Sequence, residues 1–271
     1  MRAFASALAI SLALAACAAP PPVPAAEAEA RPQRVASLNL CTDELLLLLA
    51  DPEQVATVTH LSHGEAEFPL WRRARAFSAN DGTLASAVPL RPDLVLTMGG
   101  AGDRRRIAER IGIRLVDLPF PQKLDDIASA IRTVAAALGQ PERGEALVAR
   151  IDALRRSTPS QQLDSLWIGG GGRTVATGGL EAQWMALAGL RQREGTSDRV
   201  ELENLLAAPP QVLLRSDYRA SQYSQGQAWL AHPLAQARPG AATVTTDGRR
   251  WTCMGPLLIE EIERLRRERP A

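Results

Sequence analysis

Short apolar runs alternate with amphipathic segments in the first part of the chain. The runs are five or six residues long, which suits buried strands, and the segments repeat their apolar positions with helical period. The runs predict strands at 34–38, 55–59, 93–98 and 113–118, and the segments predict helices at 81–88, at 103–111 and from Thr42, the expected N-cap. Such alternation indicates a parallel sheet with helices on both faces.

The pattern changes between residues 124 and 156, where the chain is almost entirely helical. Gly139 ends a first predicted helix, and Pro141 is suited to begin a second one. One face of the first helix is apolar, formed by Ile127, Ile131, Val134 and Leu138. A helical segment of this length predicts a stiff connection between two lobes.

A second α/β pattern follows the helical segment. It predicts strands at 165–168, 211–214 and 242–245, and helices at 181–188, 201–207 and 256–267. Residues 202–214 repeat the order of residues 84–96, since both segments contain a helix, a proline stop and an apolar strand. We therefore predict an α/β fold with two Rossmann-like lobes, residues 33–122 and 161–271, on either side of linking helices at 123–160.

The N-terminus carries the pattern of an exported protein. Arg2 precedes an apolar run, and small residues follow before Cys17. The Leu-Ala-Ala-Cys sequence resembles a bacterial lipobox, which implies a signal peptide at 1–16 and a lipid on Cys17. An ordinary signal peptide is the alternative. The proline-, alanine- and glutamate-rich segment 17–32 then predicts a flexible tether.

The balanced charge and the lack of two catalytic motifs argue against several classes of function. The chain has 31 basic and 30 acidic residues and no basic stripe, which argues against nucleic acid as a partner. No other apolar run is long enough to cross a membrane. The glycine run 169–172 lacks the Gly-Lys-Ser/Thr ending of a phosphate loop, and no Gly-x-Ser-x-Gly motif occurs. We therefore expect a binding protein that is not an enzyme and holds no cofactor.

The loops that follow the predicted strands are the candidate walls of a cleft between the lobes. Ligand sites in open α/β sheets lie beyond the carboxyl ends of the strands. Glycines there admit close backbone approach, and aromatic rings supply contact area. For Trp251, packing in the core is the alternative to a cleft position. The candidates are Asn39, Leu40, Cys41, His60, His63, Met98 and Gly99 in the first lobe, and Gly170, Tyr218, Tyr223 and Trp251 in the second.

Histidine and cysteine residues in these loops allow several chemical interpretations. His60 and His63 are spaced like metal ligands, but no Cys/His zinc pattern accompanies them, so we interpret them as loop residues and predict no metal site. Cys41 and Cys253 fall in different lobes, and outside the cytoplasm they could pair. A disulfide would restrict the opening of the cleft, so two unrelated thiols are the favoured interpretation. The pattern also allows a soft ligand site or a redox pair.

Four segments resemble the helical-backbone substrate-binding proteins of ABC importers, which bind iron-siderophores, haem or vitamin B12. They are RVASL at 34–38, LRPDLVL at 90–96, GQPERGEA at 139–146 and LENLLAAPP at 202–210. The resemblance implies two lobes joined by a long rigid helix, with an intact metal chelate, rather than a bare ion, in the cleft between them. It also implies docking on an ABC permease and ATPase complex.

In this family an acidic residue of each lobe contacts permease arginines, which implies such a role for Glu203 in the second lobe. The equivalent first-lobe position is Ala85, and nearby Asp81 is the candidate substitute. The function that follows is a monomeric periplasmic protein, held at a membrane only through Cys17, that captures a ferric siderophore, haem or cobalamin. The alternative is an envelope lipoprotein of the same fold that acts as a sensor or scaffold.

Overall fold

The computed structural model describes residues 31–195, 198–217, 228, 233 and 242–270. The lipidation site Cys17 and the cleft candidates Tyr218 and Tyr223 lie outside the described residues. Residues from Arg31 onward form one compact unit.

The first lobe is built on a five-stranded parallel sheet. Its strands lie side by side in the order β3-β2-β1-β4-β5. The order reverses between β1 and β4, and in open parallel sheets such a reversal creates a crevice at the carboxyl ends of the two strands. The strands are β1 (Val35–Ser37), β2 (Val55–Thr59), β3 (Ser78–Asn80), β4 (Leu94–Met98) and β5 (Arg114–Leu118).

Four helices accompany this sheet, and they are α1 (Leu40–Leu49), α2 (Trp71–Ala74), α3 (Leu84–Ala87) and α4 (Asp103–Arg110). The N-cap of α1 is Asn39, whose side chain accepts a hydrogen bond from the Cys41 N–H. The expectation that Thr42 caps this helix is therefore wrong. The Thr42 hydroxyl is buried and instead hydrogen-bonds Ser37 at the end of β1.

The second lobe contains a four-stranded parallel sheet in the order β7-β6-β8-β9, which reverses between β6 and β8. Helices α7 and α9 pack against each other, and α9 also contacts β9. The strands are β6 (Leu163–Ile168), β7 (Leu190–Gln192), β8 (Val212–Asp217) and β9 (Ala242–Asp247), and the helices are α7 (Leu180–Leu187), α8 (Leu202–Ala207) and α9 (Leu258–Glu268).

Two helices, α5 (Leu124–Ala137) and α6 (Pro141–Arg156), connect the lobes. They pack against each other, and α5 also contacts α1 of the first lobe and α7 of the second. The chain turns between them at Gly139, which has a φ of +68° that favours glycine. The connection is thus a packed helix pair.

One large apolar core runs through both lobes and the helix pair. It unites side chains of α1, α5, α6, α7 and α9 with the inner faces of the two sheets. Smaller clusters cover the outer face of each sheet. The α/β class with two parallel-sheet lobes is thereby confirmed. Among the described residues, no helix combines the length and apolar character needed to cross a membrane.

Candidate functional site

The first turn of α1 lies where the strand order of the first sheet reverses. Asn39 and Leu40 are both half-buried there, Asn39 as the helix cap and Leu40 as part of the core packing. Both occupy the edge that the sequence predicted for them. Their structural contacts are what fix α1 against the end of β1, and no described contact tests whether they also touch a ligand.

Two buried carboxylates follow in the same turn, Asp43 and Glu44. Asp43 accepts hydrogen bonds from the backbone N–H of Thr59, at 3.1 Å, and from its hydroxyl, which ties α1 to the end of β2. Burial raises the pKa of Asp43 to about 6, although hydrogen bonds from Ser37 and Thr59 oppose that rise. Burial likewise raises the pKa of Glu44 to about 7, against the Leu257 N–H and the charge of Arg250.

Cys41 forms a disulfide with Cys253, with 5.2 Å between the two Cα atoms. The interpretation of these residues as two unrelated thiols is therefore wrong. Cys41 lies in the first turn of α1, and Cys253 lies in the loop between β9 and α9. The bond joins the two lobes, although 212 positions separate the cysteines in sequence.

Hydrogen bonds reinforce this junction of the lobes. The Leu257 N–H donates to Glu44 Oε1 at 2.9 Å. Gly255 lies against the same carboxylate, where a Cβ atom would come within 2.5 Å of Oε1. Arg249, two residues after β9, donates to the Glu65 carbonyl at 2.6 Å. The carboxyl-end loops of both sheets therefore meet.

Met98 lies at the junction, and Gly99 lies beside it at the carboxyl end of β4. Met98 is 8% exposed and lines a cavity of about 20 Å³ that Cys41 and Cys253 also line. Gly99 has a φ of +90°, and Phe120 packs so closely over it that a Cβ atom would lie 2.4 Å from the ring. Phe120 is nevertheless 61% exposed. The Phe120 ring is thus a flat apolar surface at this edge of the sheet. The sequence analysis did not identify it as a candidate, although its position just after a predicted strand, between two prolines, could have indicated a site residue.

His60 and His63 lie in the 3-10 turn that follows β2, as the sequence predicted. His60 is exposed, with its Nδ1 atom 3.3 Å from the Asn80 carbonyl oxygen. His63 is half-buried, and its Nε2 atom has no hydrogen-bond partner among the described residues. Within the described ranges, no group of three or more His, Cys, Asp or Glu side chains is arranged to hold a metal ion.

Trp251 lies in the core, where it is 3% exposed. Its Nε1–H donates to the Thr246 hydroxyl at 2.7 Å, and its ring lies 6.4 Å from that of Trp167. These contacts satisfy the polar atom of the indole and cover its faces. They support the alternative that Trp251 packs in the core, and they argue against its predicted position in the cleft. Trp167 is the more accessible of the pair, since it is half-buried at the carboxyl end of β6.

Two larger cavities open at the carboxyl ends of β6 and β7. One measures about 300 Å³ and lies between residues 174–177 and the Glu194–Gly195 segment. The other measures about 270 Å³ and extends towards α8. All of their described lining residues belong to the second lobe. Gly170 lies in the preceding 3-10 turn after β6, so the second-lobe edge is formed by the predicted glycine loop and by residues that the sequence reasoning did not identify.

The two docking candidates lie on the surface, one in each lobe. Glu203 is exposed in the first turn of α8. Asp81 is exposed just before α3, where it accepts hydrogen bonds from Ser86 and Thr83. Those bonds lower the pKa of Asp81 to about 2. Both lobes thus present an exposed acidic residue beside the repeated helix, and docking itself stays a prediction.

Most of the chain matches the sequence profile of one protein family. The family is described as "Periplasmic binding protein", and its profile matches residues 35–242. No curated protein sequence matches the chain at a significant level.

Several solved structures share the fold. The periplasmic vitamin B12 binding protein BtuF of Vibrio cholerae is 19% identical, with 87% of this chain and 96% of that chain covered and a TM-score of 0.62. The periplasmic heme-binding protein RhuT from Roseiflexus sp. RS-1 is 21% identical, with 87% and 98% covered and a TM-score of 0.64. The siderophore binding protein BauB, solved with two acinetobactin molecules and ferric iron, is 12% identical, with 88% and 93% covered and a TM-score of 0.66. Identities this low establish a similarity of fold.

Proposed function

Because the chain belongs to the periplasmic binding protein family, we propose that it captures an intact metal chelate between its lobes and delivers it to an ABC permease. The resemblance that the sequence suggested is confirmed for the family, and such proteins bind solutes rather than transform them. A ferric siderophore, haem and cobalamin are the candidate chelates. The proposal draws support from the B12-, heme- and siderophore-binding proteins of the same fold.

The observation that carries the proposal is the meeting of two sheet edges. Each parallel sheet reverses its strand order once, at β1/β4 and at β6/β8. Ligands of open α/β sheets bind at the carboxyl ends of strands at such reversals. Here the loops at both carboxyl edges lie against each other, joined by Cys41–Cys253 and by the Arg249–Glu65 hydrogen bond. A solute held beside this junction, between the two sheet edges, would touch both lobes at once.

The side chains at the first-lobe edge suit a large chelate with a flat or acidic surface. Phe120 offers an exposed ring. Trp71 lies between Arg72 and Arg75, with each guanidinium carbon 4.5 Å from a ring centroid. Among the described residues, neither arginine is paired with a carboxylate within 4 Å. Their charges are thus available for carboxylates of a chelate, such as the propionates of haem.

Delivery would use the exposed acids and the N-terminal anchor. Glu203 and Asp81 would meet arginines of the permease, since complementary charges set the register and the rate of docking. A lipid on Cys17 would keep the protein at the membrane that holds its permease.

Isothermal titration calorimetry with hemin, cyanocobalamin and a ferric siderophore tests the proposal. We expect one of the three to bind in a one-to-one complex. Phe120→Ala should weaken that complex by about 1–2 kcal/mol, the scale of one aromatic contact, or about tenfold in Kd. Leu206→Ala, which removes an exposed apolar side chain from α8, is the matched control and should bind like wild type.

The proposal fails if folded wild-type protein binds none of the three chelates. Equal affinities of Phe120→Ala, Leu206→Ala and wild type would remove Phe120 from the site while leaving the ligand class in place.

A further inference from the structure

The Cys41–Cys253 disulfide is placed where it constrains the relative position of the lobes. Covalent chain passes from the first lobe to the second only through residues 119–162, which hold α5 and α6. The disulfide adds a second covalent connection, between the carboxyl-end loops of the two sheets. Two bodies joined at one segment can pivot about it, and a second short bridge removes most of that freedom.

Each end of the bridge is held firmly in its own lobe. On the first-lobe side, the Asn39 cap accepts the Cys41 N–H at 2.8 Å. On the second-lobe side, the indole N–H of Trp184, which is fully buried in α7, donates to the Met254 carbonyl at 2.9 Å. Movement of one lobe must therefore be transmitted to the other through the sulfur atoms.

The surroundings of the bridge leave little room for sliding. The Leu257 N–H donates to the buried Glu44 carboxylate across the junction. The cavity between the lobes at this point measures only about 20 Å³. The disulfide therefore lies in a closely packed part of the junction.

We propose that the Cys41–Cys253 disulfide is a permanent clamp that fixes the width of the cleft, so that the protein selects solutes against a preformed gap instead of closing on them. The statement about the lobes stands without a ligand. The statement about selection rests on the proposed function. Preorganisation of this kind favours affinity because less conformational freedom is lost on binding.

The test compares the full wild-type chain with Cys41→Ser/Cys253→Ser, both ligand-free, by residual dipolar couplings of backbone amides. In wild type, one alignment tensor should fit the couplings of both lobes. In the double variant, the lobes should require separate tensors of different magnitude. Thr252→Ala is the matched control, since it changes an exposed neighbour of Cys253 and keeps the bond.

A second pair, Cys41→Ala/Cys253→Val, keeps apolar contact at the junction and repeats the measurement. A single tensor with the wild-type lobe orientation in both double variants would contradict the proposal that the disulfide holds the lobes in place. Failure of both to fold would overturn it as well, because the bond would then be a requirement for folding and not a restraint between folded lobes.

Binding of hemin provides the ligand arm of the test. If hemin binds wild type, the double variant should bind it at least about fivefold more weakly, because only a fraction of its lobe orientations are competent. Unchanged hemin affinity in a variant with separate tensors would overturn the selection statement alone. If hemin does not bind wild type, the dipolar couplings still show whether the disulfide fixes the lobe orientation. Only the choice of chelate under the proposed function is then affected.

Discussion

Replacing Glu44 with glutamine should change how the stability of the protein depends on pH. Glu44 is 2% exposed, and its burial raises the pKa from 4.5 to about 7. A carboxyl whose pKa is raised by folding stabilises the folded state while it is protonated, below pH 4.5. That stabilisation is lost as the pH rises through about 7. The difference between the unfolded-state pKa of 4.5 and the folded-state pKa of about 7 corresponds to a loss of about 3 kcal/mol in the free energy of unfolding at pH 8.

Glutamine keeps the shape of the protonated acid, and its carbonyl oxygen can still accept the Leu257 N–H. The free energy of unfolding of Glu44→Gln should therefore equal that of wild type near pH 4, below the unfolded pKa of 4.5. It should exceed the wild-type value at pH 8, by up to about 3 kcal/mol. Asp43, whose pKa is also raised, is present in both proteins, so its titration largely cancels in the difference.

Urea denaturation at pH 4, 5, 6, 7 and 8, with the disulfide intact, measures this difference. Glu53→Gln, at an exposed site in the turn before β2, is the matched control for the removal of a carboxylate. A Glu44→Gln difference that is constant across the series would refute the reasoning, as would destabilisation at every pH.

Three further changes test other parts of the account. Trp251→Ala should lower the free energy of unfolding by about 3–5 kcal/mol in urea, since it empties a core site; unchanged stability with weaker chelate binding would return the indole to the ligand site. Glu203→Arg should weaken association with the cognate permease while chelate affinity stays constant, and normal uptake would remove this residue from docking. Cys17→Ser should abolish lipidation, and mass spectrometry that finds an unmodified Cys17 in the mature wild-type protein would exclude the anchor.

Most of the sheet was predictable because its central strands contain runs of apolar residues. The strand β4, buried at all five positions, is such a case. Two strands were missed, Ser78–Asn80 and Leu190–Gln192. Both are three residues long and lie at sheet edges, where polar residues are tolerated and the apolar pattern is weak.

The candidate site was predictable as a set of loops but not as a set of contacts. The rule that ligands bind beyond the carboxyl ends of strands located Cys41, Gly99 and the loop of Cys253 at the correct edges. It could not show that the cysteines pair, because a sequence separation of 212 carries no information on a distance of 5.2 Å. Nor could it show that Thr246 accepts the Trp251 N–H and holds that indole in the core.

Paramagnetic broadening of amide resonances by a bound ferric chelate tests most directly whether the solute lies between the lobes. Ferric iron held there should broaden amides at the carboxyl edges of both sheets, including those of Gly99 and Gly169. Amides at the opposite ends, such as those of Val35 and Leu163, should stay sharp. Broadening confined to one lobe, or strongest at the amino ends of the strands, would contradict capture between the two sheet edges.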